Sequence, residues 1–286
     1  GGGFAVGDTG PGRCALVTGA NTGIGLACAL RLARRGLQVV ATVRSPEKAD
    51  VVHKAAVGAG VAVRTELLEV TDASGCAEVI ARWRPYALVN NAGINAVAAV
   101  EDTVDADLES ILAINLVAPV RLIRLAVPHM RAQGGGRVVN VSSTEGRVVL
   151  PLLGCYQASK HALEAVTATL RLELARDGIG VSSVQPGNVD TAIYSKGFWV
   201  EQPQGSRYDA GYRRLKKLMS MNERMQLPPD AVADVVLKAI LARRPRPRYL
   251  VGLDAHALAG VHDLLPTVLR ERLYRALFQL ENPASR

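Results

Sequence analysis

The stretch that decides the fold is Thr18-Gly19-Ala20-Asn21-Thr22-Gly23-Ile24-Gly25. It follows a short apolar run that begins at Arg13 and is typical of a buried strand. A helical pattern comes after it and ends at Gly36. A strand, a glycine-rich turn and a helix in this order present backbone N–H groups and a helix N-terminus to a pyrophosphate. The spacing is Gly-x-x-x-Gly-x-Gly, so a plain glycine turn stays open as the alternative.

Beyond this stretch, apolar runs alternate with helical patterns along the chain. This alternation predicts an α/β fold in which a parallel sheet is doubly wound by right-handed crossovers. With the strand at 13–18 included, we expect a seven-stranded sheet. The other expected strands are 37–43, 61–70, 86–89, 137–141, 179–185 and 248–251. The helices after the first are expected at 47–57, 73–83, 107–131, 152–176, 228–241 and 254–281, with an interruption at Pro266.

Polar and glycine-rich motifs follow the expected strands at their carboxyl ends, where ligands bind in such sheets. They are Arg44, Asn90-Asn91-Ala92-Gly93, Ser142-Ser143 and Pro186-Gly187-Asn188-Val189-Asp190-Thr191. No Asp or Glu lies between Leu37 and Ser45 to accept hydrogen bonds from the ribose hydroxyls, whereas Arg44 can neutralise a 2′-phosphate. We therefore predict NADP(H) as the cofactor, with a solvated loop arginine as the alternative.

A second motif lies in the helix expected over 152–176, where Tyr156 and Lys160 are four residues apart. Side chains at i and i+4 share one face of a helix. A nearby ammonium lowers the pKa of a tyrosine, and such a tyrosine exchanges protons with an alcohol oxygen near neutral pH. The pair alone is weak evidence for catalysis, because Tyr and Lys also occur four residues apart by chance on solvated helices.

Together, these motifs resemble those of the short-chain dehydrogenases/reductases. The matches are Thr18-Gly19-x-x-x-Gly23-x-Gly25, Asn90-Asn91-Ala92-Gly93, Asn115, Ser143, Tyr156-x-x-x-Lys160 and Pro186-Gly187, in the family's order. The resemblance covers roughly residues 12 to 250 and implies a Rossmann-like fold. The glycine turn and Arg44 look most like the branch containing NADP-using retinol dehydrogenases and 17β-hydroxysteroid dehydrogenases.

The resemblance also implies roles for individual residues. Asn115, Ser143, Tyr156 and Lys160 would form the catalytic tetrad. Ser143 is chosen over Ser142 because it lies thirteen residues before Tyr156, as in the family. Tyr156 would exchange the proton, Ser143 would hydrogen-bond the substrate oxygen, Lys160 would tune Tyr156 and hold the nicotinamide ribose, and Asn115 would anchor a water.

The implied cofactor contacts extend over the whole carboxyl edge. They are Gly19, Asn21, Thr22, Gly23, Ile24, Gly25, Arg44, Glu69, Val70, Asn91, Ala92, Gly93, Tyr156, Lys160, Pro186, Gly187, Val189 and Thr191. Glu69-Val70 departs from the family, which usually has Asp-Val there to contact the adenine amino group.

Composition narrows the class of partner. The net charge is +8, but the positive residues are spread along the chain without aromatic interleaving. A solvated surface around an anionic cofactor is therefore favoured over a nucleic-acid site. The sequence contains no run of 18 uncharged apolar residues, so we expect no membrane span. The four scattered cysteines, without metal-ligand spacing, predict free thiols, no metal and a cytoplasmic location.

We expect a flexible tail over 1–11, one Rossmann-like domain over 12–252 and a C-terminal helical extension over 253–286. Aromatic and Met residues within 192–227 favour a mobile substrate lid, and an ordinary amphipathic helical pair is the equal alternative. Leu264, Leu265, Leu269, Leu273, Leu277 and Leu280 give the extension an apolar stripe. Packing on the core or a partner subunit is favoured over a membrane surface.

The predicted function is hydride transfer between NADP(H) and a ketone or secondary alcohol of a bulky, apolar small-molecule substrate. The resemblance implies a homodimer or homotetramer. An enzyme of the same fold without net redox chemistry, such as an epimerase, dehydratase or cyclase, is the alternative, because fold does not fix function. An NADP-sensing regulator is a further one, which the complete tetrad disfavours.

Overall fold

A seven-stranded parallel sheet forms the centre of the computed structural model, which describes residues 12–191, 205–222 and 226–280. Its strands lie in the order β3-β2-β1-β4-β5-β6-β7, and every neighbouring pair is parallel. The α/β fold expected from the sequence is therefore confirmed. The strands are β1 Cys14–Val17, β2 Gln38–Val43, β3 Val63–Leu67, β4 Ala87–Asn90, β5 Gly136–Val141, β6 Ile179–Pro186 and β7 Arg248–Val251.

Helices connect the strands and cover both faces of the sheet. They are α1 Gly23–Arg34, α2 Pro46–Gly58, α3 Ala73–Trp83, α4 Asp105–Leu112, α5 Ala118–Ala132, α6 Gly154–Glu173, α7 Asp209–Asn222, α8 Pro229–Leu241, α9 Leu253–Leu264 and α10 Thr267–Leu277. The third strand is shorter than the expected 61–70. Leu68 and Val70 are buried in the loop that follows β3, so the apolar pattern of the sequence continues beyond the end of the strand.

Alternate side chains of the strands feed two separate cores. On β1, Ala15 and Val17 face the cluster under α1 and α8, whereas Leu16 faces the cluster under α3 and α5. All three are fully buried. Each fully buried Val or Leu contributes about 1.5–3 kcal/mol relative to an exposed one, so the apolar run before the glycine turn is held firmly from both sides.

The helix expected over 107–131 is interrupted by a π-helical segment, Ala113–Val117, between α4 and α5. The continuous stretch Asp105–Ala132 is long and apolar enough by composition to cross a membrane, a test that core helices also pass. Here Leu122, Ile123 and Met130 are buried in the core against the sheet. The stretch is therefore accounted for as a core helix of the α/β fold.

A third apolar cluster joins α7 to the C-terminal helices. Tyr212 and Leu215 of α7 pack with Leu152, Tyr274 and Phe278, all of them buried. The described part of α7 thus behaves as an amphipathic helix with its apolar face on the core. Residues 1–11, 192–204 and 223–225, on which the tail and much of the expected lid fall, lie outside the described residues.

Only part of the apolar stripe of the C-terminal extension packs on the core, and packing of the remainder on a partner subunit stays a prediction. Leu264, Leu269 and Leu273 are exposed at 84%, 51% and 47%. The face that packs inward carries Tyr274 and Phe278, with Leu277 and Leu280 beside them.

Candidate active site

The glycine turn is built for close approach of backbone. Gly19 and Gly23 have φ angles of +63° and +52°, in the left-handed region that favours glycine. A Cβ on Gly25 would lie 2.4 Å from the Gly19 carbonyl oxygen and 2.5 Å from Asn91 Nδ2. A Cβ on Gly23 would lie 2.9 Å from Thr191 Cγ2. The turn therefore touches the ends of both β4 and β6.

Thr18 and Asn91 link the turn to the end of β4. Thr18 Oγ1 accepts hydrogen bonds from the backbone N–H groups of Asn91 and Ala92, each at 3.0 Å. Asn91 Nδ2 donates to the carbonyl oxygens of Thr18 at 2.9 Å and Gly19 at 3.2 Å. Thr22, the N-cap of α1, makes no side-chain capping bond. The first N–H groups of α1 are thus left for an anion.

The ends of β2 and β3 bring Arg44 and Glu69 together at the surface. Arg44 Nη1 lies 3.9 Å from Glu69 Oε2, and the two side chains are 60% and 44% exposed. Such an exposed pair contributes little stability, so a phosphate can compete for Arg44. Arg121 of α5 donates to the carbonyl oxygens of Val70 and Thr71 at 3.3 Å and 3.0 Å. Sequence reasoning missed Arg121, which stabilises the loop carrying Glu69 and Val70.

Ser143, Tyr156 and Lys160 come together where β5 ends and α6 begins. Ser143 follows β5 and caps a short 3₁₀ turn, Thr144–Gly146. Tyr156 and Lys160 lie in the first two turns of α6, and Lys160 Nζ is 5.8 Å from the centre of the Tyr156 ring. All three side chains are buried. The i, i+4 spacing places phenol and ammonium on one face, as expected.

Lys160 is enclosed by polar groups. Its Nζ donates to the Val141 carbonyl at 3.1 Å. Burial lowers the pKa of Lys160 to about 8, and Glu145 and Glu164 act against this shift. Glu164 Oε2 accepts from Ser183 Oγ and from Arg248 Nε, each at 3.1 Å. Part of the negative charge near Lys160 is therefore already compensated.

Asn115 lies in the π-helical segment, which turns its side chain inward. Its Nδ2 donates to the Ile94 carbonyl at 2.9 Å and to Ser159 Oγ at 3.0 Å, while its Oδ1 accepts from Ile94 N–H at 2.9 Å. A Cβ on Gly93 would lie 3.2 Å from Asn115 Oδ1 and 3.7 Å from Lys160 Nζ. A side chain at position 93 would therefore crowd both Asn115 and Lys160. The water assigned to Asn115 stays a prediction.

The segment after β6 forms the last part of the carboxyl edge of the sheet. Thr144 Oγ1 donates to the Pro186 carbonyl at 3.0 Å, and Val189 is buried. Asp254, at the start of α9, accepts from Asn188 N–H at 2.6 Å. A Cβ on Gly187 would lie 2.4 Å from that carboxylate. The C-terminal helices therefore help to fix the Pro186–Thr191 segment.

Sequence reasoning missed two carboxylates at this edge, those of Glu145 and Asp254. Glu145 is only two residues from Ser143, so its position in the sequence could have indicated a titratable group near the Ser143 hydroxyl. Asp254 gave no such signal, because it is far from the motifs in sequence and comes close only through the packing of α9 on the Ser143 turn.

Comparison with known proteins agrees with this geometry. Residues 13–198 match the model of the short chain dehydrogenase family. The Bacillus subtilis oxidoreductase YusZ, itself uncharacterized, is 30% identical over 277 residues, covering 92% of this chain and 99% of YusZ. The chain therefore belongs to the short-chain dehydrogenase family and is an oxidoreductase.

Two relatives carry more specific names. The NADPH-dependent 3-dehydrocapnine reductase of Ornithobacterium rhinotracheale is 28% identical over 274 residues, covering 92% of this chain and 96% of that protein. A solved variant of actinorhodin polyketide ketoreductase with NADPH is 29% identical, with a TM-score of 0.70, covering 84% of this chain and 96% of the other. The finer likeness to retinol and 17β-hydroxysteroid dehydrogenases stays a prediction.

Proposed function

We propose that this protein is an NADP(H)-dependent oxidoreductase acting between a ketone and a secondary alcohol. The observation that carries the proposal is the buried pair Tyr156 and Lys160, with Lys160 Nζ 5.8 Å from the Tyr156 ring centre, at the carboxyl edge of the sheet where Ser143 follows β5. That edge is where ligands bind in doubly wound folds. The names of the two NADPH-linked reductases similar to this chain support the same cofactor.

The residues of the edge fit a dinucleotide phosphate. The Gly19–Gly25 turn allows close backbone approach, and the uncapped start of α1 suits a pyrophosphate. Arg44, at the end of β2, has the exposure needed to pair with a 2′-phosphate. Gly93, Val189 and Thr191 would lie along the remainder of the cofactor. When bound, NADPH supplies the hydride.

The protein's own part is to hold the substrate oxygen and to move a proton. The Tyr156 hydroxyl would give its proton to that oxygen in reduction and take it back in oxidation. Lys160, 5.8 Å from the ring centre, favours the phenolate through its charge. Ser143 would donate a hydrogen bond to the same oxygen, where one such donor is worth about 10²–10³ in rate.

We propose a bulky, apolar substrate. The Leu150 N–H donates to Gln157 Oε1 at 3.1 Å. This bond ties the apolar segment before α6 to Gln157, the residue that follows Tyr156. Val149 is 48% exposed, and Leu150, Leu218 and Met219 are only partly buried at the border of the third cluster. These partly exposed apolar side chains would suit an apolar substrate.

The test is to incubate the protein with NADPH or NADH and a panel of ketones of increasing size, following nicotinamide absorbance. We expect oxidation of NADPH, a higher kcat/KM with NADPH than with NADH, and a preference for the larger apolar ketones. Product formation without net cofactor change would replace this proposal by the non-redox alternative. A strong NADH preference would overturn the role of Arg44.

Arg44→Ala should sharpen this comparison. Loss of one charge-assisted hydrogen bond costs about 1.5–3 kcal/mol, so kcat/KM with NADPH should fall roughly tenfold or more. The value with NADH should change little. A matched control is Arg243→Ala, because Arg243 is also exposed but follows α8, away from the glycine turn.

A further inference from the structure

Glu145 engages the hydroxyl group that Ser143 would offer to a substrate oxygen. Ser143 Oγ donates its hydrogen to a Glu145 carboxylate oxygen. The same Oγ accepts from the Glu145 backbone N–H at 3.3 Å. Both the donor and an acceptor site of the Ser143 hydroxyl are therefore engaged by one neighbouring residue.

A serine hydroxyl carries a single hydrogen. While that hydrogen points to an ionised Glu145, it is not available to the oxygen of a ketone. A protonated Glu145 reverses the bond, because the carboxylic acid then donates and Ser143 Oγ accepts. The Ser143 hydrogen is then free to turn to the substrate.

From this geometry we infer that Glu145 is a positioning residue whose protonation state decides whether Ser143 can donate to the substrate oxygen. The inference rests on the proposed function for its kinetic consequence. The hydrogen bond between the two side chains does not depend on it.

The charged groups around Glu145 come from two neighbouring elements. Lys160 of α6 favours the ionised form, and Asp254 at the start of α9 disfavours it. Burial is the largest influence and raises the pKa of Glu145, while the Ser143 hydrogen bond acts in the opposite sense. The pKa of Glu145 therefore lies above that of an exposed glutamate.

The kinetic test compares Glu145→Gln with the wild type across the pH range for ketone reduction. The glutamine amide does not ionise, and its N–H can donate to Ser143 Oγ as the protonated acid does. We expect the wild type to lose kcat/KM as pH rises through the Glu145 titration. The variant should lack that step and exceed the wild type by about tenfold or more at alkaline pH, within the 10²–10³ expected for one donor.

Two controls separate this role from a general effect. In a Ser143→Ala background the Glu145→Gln substitution should leave the pH profile unchanged, because Glu145 acts through Ser143. Glu173→Gln removes an exposed carboxylate at the end of α6 and should follow the wild type. The inference is overturned if wild type and Glu145→Gln have parallel profiles, or if the variant's effect persists without Ser143.

A second readout needs no turnover. The infrared band of the protonated Glu145 carboxyl, assigned by its loss in Glu145→Gln, can be titrated in the cofactor-free protein. Ser143→Ala should move the midpoint to higher pH, because it removes a hydrogen bond to the carboxylate. An unmoved midpoint refutes the Ser143–Glu145 bond itself. Absence of any redox activity with a moved midpoint would instead refute only the proposed function.

Discussion

The two halves of the sheet's carboxyl edge are built on different physical principles. At β1, β2 and β4 the edge consists of backbone and glycine, with contacts so close that a Cβ on Gly25 would meet a carbonyl at 2.4 Å. At β5 and α6 it consists of buried polar side chains, such as Ser143, Lys160 and Glu164. Space limits substitution in the first half, whereas charge and hydrogen bonding limit it in the second.

This contrast follows from what each half would have to do. A pyrophosphate is held by many backbone N–H groups whose positions do not change during a reaction. A substrate oxygen changes its charge, so the groups facing it must be able to move or share protons. Changes in the glycine half should therefore act independently of pH, and changes in the polar half should depend on pH.

Tyr156→Phe should have the largest effect. It removes the proton donor but keeps the ring beside Lys160, so turnover should fall by about 10²–10⁴ while cofactor affinity is retained. Steady-state rates and a fluorescence titration with NADPH measure the two quantities. Tyr86→Phe, at the opposite edge of the sheet just before β4, is the control. Near-normal turnover in Tyr156→Phe would remove Tyr156 from the mechanism.

Lys160→Met should change stability in a pH-dependent way. The folded-state pKa of about 8 lies below the ordinary 10.5, so between these values the unfolded chain binds more protons and wild-type stability rises with pH. The wild type should gain about 3 kcal/mol relative to Lys160→Met across this window.

Urea unfolding of both proteins without cofactor, at pH values below and above the window, measures that gain. Comparing the two proteins cancels the titration of the groups that do not interact with Lys160. Equal differences at both pH values would show that Lys160 is not held by burial in the way described, and would weaken the contrast between the two halves.

Gly25→Ala should have the smallest effect of the three and no pH dependence. The new Cβ must displace the Gly19 carbonyl or Asn91, which we expect to cost about 1–3 kcal/mol of stability and to weaken NADPH binding. Gly260→Ala is the matched control, because Gly260 lies within α9 with open space around it. That change should stabilise by about 0.5–1 kcal/mol.

Either result can break the comparison. If Gly25→Ala binds NADPH as tightly as the wild type, close backbone approach is not what the turn provides. If its defect varies with pH as that of Lys160→Met does, the two halves are not independent. Thermal unfolding and fluorescence titration at two pH values decide between these outcomes.

The sequence by itself determined the order of the strands along the chain, the glycine turn and the Tyr156-Lys160 pair. These features depend on local patterns: burial of short apolar runs, the left-handed φ angles open to glycine, and the i, i+4 spacing on a helix. Such patterns need no knowledge of distant contacts. For that reason the α/β fold was predicted correctly. The limits of β3 and of the long helix were predicted less accurately, because the same local patterns continue past the points where the folded chain ends or interrupts these elements.

Only the tertiary structure decided what surrounds those residues. It placed the Glu145 carboxylate on Ser143 and the Asp254 carboxylate on the Asn188 N–H, and it packed Tyr274 in one cluster with α7. Desolvation and hydrogen bonding depend on every atom packed nearby, including atoms from remote parts of the chain. The sequence therefore predicted a set of candidate residues, and the folded chain set the burial and hydrogen bonding around them.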